Sequence, residues 1–412
     1  MKLFHLKQPS FILQVLLAMA CFFTACTKKN ITPITTRYNV TGGTGTTGID
    51  TNKADSTASF NAPTALALDA AGNIYVADYG NNLIRKISTT GVVSTVAGNG
   101  NQGSLNGQGT ASSFNGPTGL AVDASGNIFV ADNNNNQIRE ISAAGLVSTV
   151  AGSDSIGAVD GIGAAAYFFG PTGVAVDASD NLYVTDAGNN LIRKIVVSTG
   201  AVSTLAGNAN PGAGNGKLLS SSFYNPTGIA LDASGNIYVA DLLNNLIREI
   251  QPHADTVFTL AGNADTTASI NGTGTAAAFY YPNSVAVDAS GNVYVSEYIS
   301  NLIRKITPGG VVTTFAGSGA AGQADSTGTK ATFNGPSGLA IDVAGNLYVA
   351  DTYNNVIRKI TPTGVVSTIA GNGIAGATNG QALSLKRHLN LHVAHKLTAR
   401  SLSSILIKKQ RH

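Results

Sequence analysis

One unit of about 54 residues, written six times, constrains this chain more than any other feature. Its proline recurs at Pro63, Pro117, Pro171, Pro226, Pro282 and Pro336, in steps of 54, 54, 55, 56 and 54 residues. A period this regular is the signature of a repeat architecture, in which each copy must bury its apolar surface against the next. The clearest copy runs from Phe114 to Gly152 and reads FNGPTGLAVDASGNIFVADNNNNQIREISAAGLVSTVAG. Four short stretches in it, Gly119–Val122, Ile128–Ala131, Gln137–Ile141 and Leu146–Val150, are rich in Ile, Val, Leu and Thr and bounded by Gly, Asn, Asp or Ser. That pattern predicts strands. The connections are too short for helical crossovers, so each repeat predicts one antiparallel four-stranded sheet. Six such sheets around an axis make an all-β, six-bladed propeller.

The repeated line P-T-G-[LVI]-A-[VL]-D-A-x-G-N-[IL]-[YF]-V-A-D-x-x-N-N-x-I-R-K-I resembles the NHL-repeat family of propellers, over about five sixths of the chain. The resemblance implies the fold strongly and the activity weakly, because one scaffold carries many functions. Some relatives of this kind bind RNA on a basic face. Between Tyr38 and Gly380 there are 7 Lys and 6 Arg against 19 Asp and 3 Glu, a balance of −9, so a nucleic-acid partner is not expected here. The whole-chain value of +3 arises from basic residues at the two ends.

Residues 1–26 predict an export signal: Lys2 and Lys7, an apolar run from Phe11 to Phe23, then Ala25 and Cys26. The run is too short to span a membrane and suits a signal-peptide core. The ending resembles a bacterial lipobox, with Cys26 preferred over Cys21 as the lipid-bearing cysteine. Residues 27–37 read as a polar tether, and localisation as lipid-anchored in the cell envelope, periplasmic or outer-membrane. These two cysteines are the only ones, so no disulfide framework is expected. Residues 38–380 form the propeller. Tyr38–Gly42 matches a fourth strand, giving seven such strands against six sets of the other three. Either this strand closes the ring and the Val365–Ala370 strand is spare, or the reverse, or a seventh blade has been lost. Residues 381–412 break the pattern, with seven of the 25 Lys and Arg and four of the six His, and read as a frame change or an appended segment. His388, His392 and His395 lack the carboxylate or cysteine that a metal site would want nearby, and a basic amphipathic helix touching anionic lipid is a further reading of this tail.

Within the repeat, Ala67, Ala121, Ala175, Ala230, Ala286 and Ala340 predict the crowded innermost strand. The Asp69, Asp123, Asp177, Asp232, Asp288 and Asp342 turns lack the further carboxylates of a calcium loop. Asp78, Asp132, Asp186, Asp241, Glu297 and Asp351 travel with Arg85, Arg139, Arg193, Arg248, Arg304 and Arg358. With a four-residue turn between strands two and three they become diagonal neighbours, and six structural ion pairs are expected. Four G-x-G-x-x-G matches fall in linkers leading to another strand rather than a helix, so they predict no phosphate site.

Alternation places the second-to-third strand turns and the long linkers on one face. The repeats differ most at those turns, and Tyr79, Asn133, Leu242, Leu243, Tyr298, Ile299 and Tyr353 are expected to form a contact surface there. The expected function is a non-catalytic, monomeric binding or scaffold module for a protein, peptide or glycan, with no cofactor or metal. The alternative is an enzyme: lyases and lactonases with similar propellers hold a metal over the channel with histidines and carboxylates. Here His253 is the one histidine of the repeat region and falls on the opposite face.

Overall fold

A computed structural model describes residues 56–382. The expected leader with Cys26, the expected tether, the Tyr38–Gly42 segment and the tail beyond residue 382 lie outside the described residues. Blade 1 comprises β1 (Pro63–Leu68), β2 (Ile74–Asp78), β3 (Leu83–Ile87) and β4 (Val92–Ala97), antiparallel and in sequence order. The other five blades repeat this order, giving a six-bladed propeller. In four of the six sheets a two-residue strand from the adjoining linker adds a fifth member. Among the described residues the only helical elements are single 3-10 turns.

The first strand of each blade lies innermost, and contact between blades explains its composition. The Thr64 hydroxyl donates to the Pro117 carbonyl of blade 2 at 3.0 Å, Thr118 to Thr172 at 3.1 Å and Thr227 to Asn283 at 2.8 Å. A methyl group on Gly119 would collide with the Thr172 carbonyl, so the strands meet only because that side chain is missing. Apolar clusters form between blades: Ala67, Tyr75 and Ala77 of blade 1 pack with Leu120, Ile128 and Val130 of blade 2. Each blade is therefore covered on both faces, and its strands need no polar side.

The ring closes between blades 6 and 1. Val366–Ala370 is the fourth strand of blade 6, so it is not spare. The linker after it runs on to blade 1, where Gly380–Gln381 pairs with β4. Ser337 donates to the Thr64 carbonyl at 3.0 Å, and Ala340, Tyr348 and Ala350 share one apolar cluster with Leu66, Ile74 and Val76. No gap for a seventh blade is left.

Candidate ligand-binding face

The frame beneath the face is one buried unit repeated six times. Asp78 meets Leu83 and Val76 meets Arg85 across β2 and β3, which brings Asp78 and Arg85 together diagonally at 2.9 Å, both fully buried. The same pairing joins Asp132–Arg139, Asp186–Arg193, Asp241–Arg248 and Asp351–Arg358 at 2.8 Å, and Glu297–Arg304. Each arginine also reaches a linker: Arg85 donates to the Thr378 carbonyl at 3.0 Å and to Asn379 at 2.9 Å. Its guanidinium sits 5.5 Å from the Phe60 ring centre. Burial pushes Asp78 up to about 6, although the Asn61 N–H, Asn81 and Arg85 all pull it down. Asp132, Asp186 and Asp241 are pushed to the same value by the same cause. The arginines therefore work as linker clamps, with their carboxylates already occupied.

The turn after the second strand is a 3-10 turn in five blades, and its last two residues are doubly used. Asn81 donates to Asp78 at 2.8 Å and to the Gly376 carbonyl at 2.7 Å. Asn82 takes the left-handed conformation (φ 53°) and accepts the Gly116 N–H of blade 2 at 2.9 Å. The equivalent asparagines repeat this staple around the ring, ending with Asn355 accepting the Ala62 N–H at 2.9 Å. Sequence reasoning missed the staple. Its signal was the Asn-Asn pair, readable as a turn but not as a bond to the next repeat.

The first two turn positions have different roles. Asn133 and Leu242 are each only 5% exposed, and Asn133 donates to the Pro171 carbonyl of blade 3 at 3.0 Å. Both expected contact residues are therefore buried, and at this first turn position Asn133 and Thr352 reach the inner strand of the next blade, Thr352 donating to the Pro63 carbonyl at 2.7 Å. Tyr79 and Tyr298 occupy the same position and are half-buried. The second position faces outward: Ile299 is 43% and Tyr353 53% exposed, while Leu243 is half-covered.

An aromatic arc crosses blades 4 to 6 on this face. Tyr224 is 43% exposed. Tyr280 and Tyr281 stack edge-to-face at 5.1 Å, the Tyr298 N–H donates to the Tyr281 carbonyl at 3.3 Å, and the Tyr298 and Tyr353 rings lie 5.4 Å apart. Gly335 lies beneath the last pair, where a Cβ would come 2.6 Å from Tyr353. Burial, then the Tyr353 side chain beside it, push the Tyr298 hydroxyl pKa up. Blade 5, at the centre of the arc, departs from the frame. Glu297 and Ser300 replace the usual Asp and Asn, and Ser269 bonds to both, at 2.7 Å to Ser300.

On the opposite face each Asp of the first-to-second turn is satisfied locally. Asp69 accepts the Asn73 N–H at 2.9 Å and its side-chain amide at 2.7 Å, with Gly72 at φ 85°. His253 sits in the Pro252–Ala254 turn on that side. Among the described residues no three His, Cys, Asp or Glu converge as metal ligands.

The model for the NHL repeat matches residues 60–87, 114–141, 168–195, 223–248 and 333–360. NHL repeat-containing protein 2 of Bos taurus is 30% identical over 335 residues, covering 72% of this chain and 46% of its own length. The protein SUPPRESSOR OF QUENCHING 1, chloroplastic, of Arabidopsis thaliana is 30% identical over 64% of this chain and 27% of itself. The chain thus spans less than half the length of these relatives. A solved structure described as an auxiliary nutrient binding protein from Bacteroides thetaiotaomicron superposes with a TM-score of 0.56 at 17% identity, covering 75% of this chain and 70% of that one. That likeness concerns the fold.

Proposed function

Because the chain is an NHL-repeat propeller, we propose that it is a non-catalytic binding module, held on the cell envelope by lipid at Cys26 and engaging its ligand through the linker face. The observation that carries this reading is where the blades differ. The Asp–Arg–Phe unit and the asparagine staple repeat almost unchanged, while the turn tips differ in every blade and the pre-proline positions in most. A site for chemistry needs a converging set of acids, bases or ligands. The variable positions instead supply tyrosines, asparagines and aliphatic tips, the groups of a contact surface.

Photo-crosslinkers placed separately at positions 353 and 343 in living cells test the face. Val343 is fully exposed on the opposite side. Adducts at 353 and none at 343 are expected, whereas adducts only at 343 would refute the assignment. Palmitate labelling that survives Cys26→Ser but not Cys21→Ser would move the anchor to the other cysteine.

A further inference from the structure

The two residues before each blade's proline and the first two turn residues give 24 tip positions on the linker face. None is Asp, Glu, Lys, Arg or His. Every charged side chain of the repeat is placed in the buried frame, the linkers or the opposite face. The tips include an aromatic arc, Tyr224, Tyr280, Tyr281, Tyr298 and Tyr353, and six asparagines, Asn61, Asn115, Asn133, Asn134, Asn225 and Asn334.

One member of the arc sits where the backbone penalises it. The residue preceding the proline is left-handed in every blade, and in three blades it is glycine: Gly116 (φ 63°), Gly170 (φ 58°) and Gly335 (φ 62°). Blade 5 holds Tyr281 there at φ 54°. A bulky side chain in this region is strained, and such strain persists where it serves a site. Glu297, Ser300 and Ser269 reshape the neighbouring turn in the same blade and nowhere else among the described residues.

We infer that the arc centred on Tyr281 is a carbohydrate site for a neutral, polyhydroxylated ligand, an oligosaccharide without acidic groups. The inference rests on the linker face being the binding face and adds the ligand class. Tyrosine rings offer flat apolar surface on which the C–H face of a sugar stacks, with a hydroxyl at the edge. Asparagine amides both donate and accept, and Asn225 and Asn334, at the pre-proline tips of blades 4 and 6, place such groups beside the arc for sugar hydroxyls. The tip positions hold no fixed charge, so they provide no partner for uronates, phosphates or acidic peptides, which would lose hydration there without compensation.

The chain contains no Trp, so its intrinsic fluorescence reports tyrosine directly. The test titrates the full-length protein with six-unit neutral oligosaccharides, their uronate counterparts and a library of uncharged apolar peptides. Neutral oligosaccharides are expected to perturb the signal saturably and the uronates to bind at least 10-fold more weakly. Tyr281→Gly and Tyr353→Ala should each weaken binding at least 10-fold, and Val343→Ala should leave it unchanged. Tyr281→Gly relieves the left-handed strain, so its Tm should match or exceed that of the parent. Loss of binding in that variant is then not loss of fold. If only apolar peptides bind and Tyr281→Gly abolishes that binding, the carbohydrate class is overturned while the face stands. Binding of any probe that ignores both tyrosine variants overturns the face as well.

Discussion

At the scale of the residue, Asn82 shows how one side chain serves two levels of structure. Its backbone ends the turn in the left-handed region and its amide oxygen holds the next blade. Asn82→Gly keeps the first role and loses the second, leaving the Gly116 N–H unpaired at a cost of about 1–3 kcal/mol. Asn82→Ala loses both, and thermal unfolding should find it worse than the glycine variant by about 1 kcal/mol. Equal Tm values would show that the staple alone matters. Arg139 gives a pH-dependent case. Arg139→Met strands the buried Asp132 carboxylate, and breaking such a pair from one side costs about 3–5 kcal/mol at neutral pH. Burial already raises Asp132 to about 6, above an unfolded value of about 3.9. A raised carboxylate contributes its stability fully below the unfolded pKa and loses it as pH rises through the folded one. The Tm deficit of Arg139→Met should therefore shrink from pH 8 to pH 5; a deficit that grows on acidification contradicts the account.

At the scale of the element, the linker closes the ring. Residues 376–381 supply blade 1 with what the linkers between consecutive blades supply elsewhere: a carbonyl for Asn81, two partners for Arg85 and a short edge strand for β4. Replacing residues 374–381 with a Gly/Ser chain of equal length leaves every blade intact and removes these contacts. The uncovered Arg85 clamp should lower stability by about 2–4 kcal/mol in denaturant unfolding. An unchanged midpoint would mean that the inner strands alone hold the ring. The strands, turns and diagonal ion-pair register were legible in the sequence because they depend on local alternation and on a four-residue turn. The closing strand was not, since seven copies of the fourth strand fit either terminus. The pairing of Val366–Ala370 with Val356–Ile360 distinguishes them. Likewise, period and composition cannot say that Leu242 packs inward while Leu243 is half-covered. That difference appears only in the folded turn, where Leu242 is 5% exposed.

At the scale of the whole molecule, near-perfect repetition makes departures from it informative. Five blades hold the same Asp, Asn and turn, and the sixth set, in blade 5, changes them together beside a strained tyrosine. The sequence displays each of these residues, but the coincidence in space of Tyr224, Tyr281, Tyr298 and Tyr353, drawn from three blades, exists only in the fold. We propose this arc as the working surface of the protein. Hydrogen exchange of the full-length chain, with and without a neutral six-unit oligosaccharide, measures that directly. Protection confined to the backbone around residues 224–225, 280–281, 298–299 and 352–353 is the predicted result. Protection centred instead on the opposite turns at 69–73, 177–181 and 232–236 would contradict it.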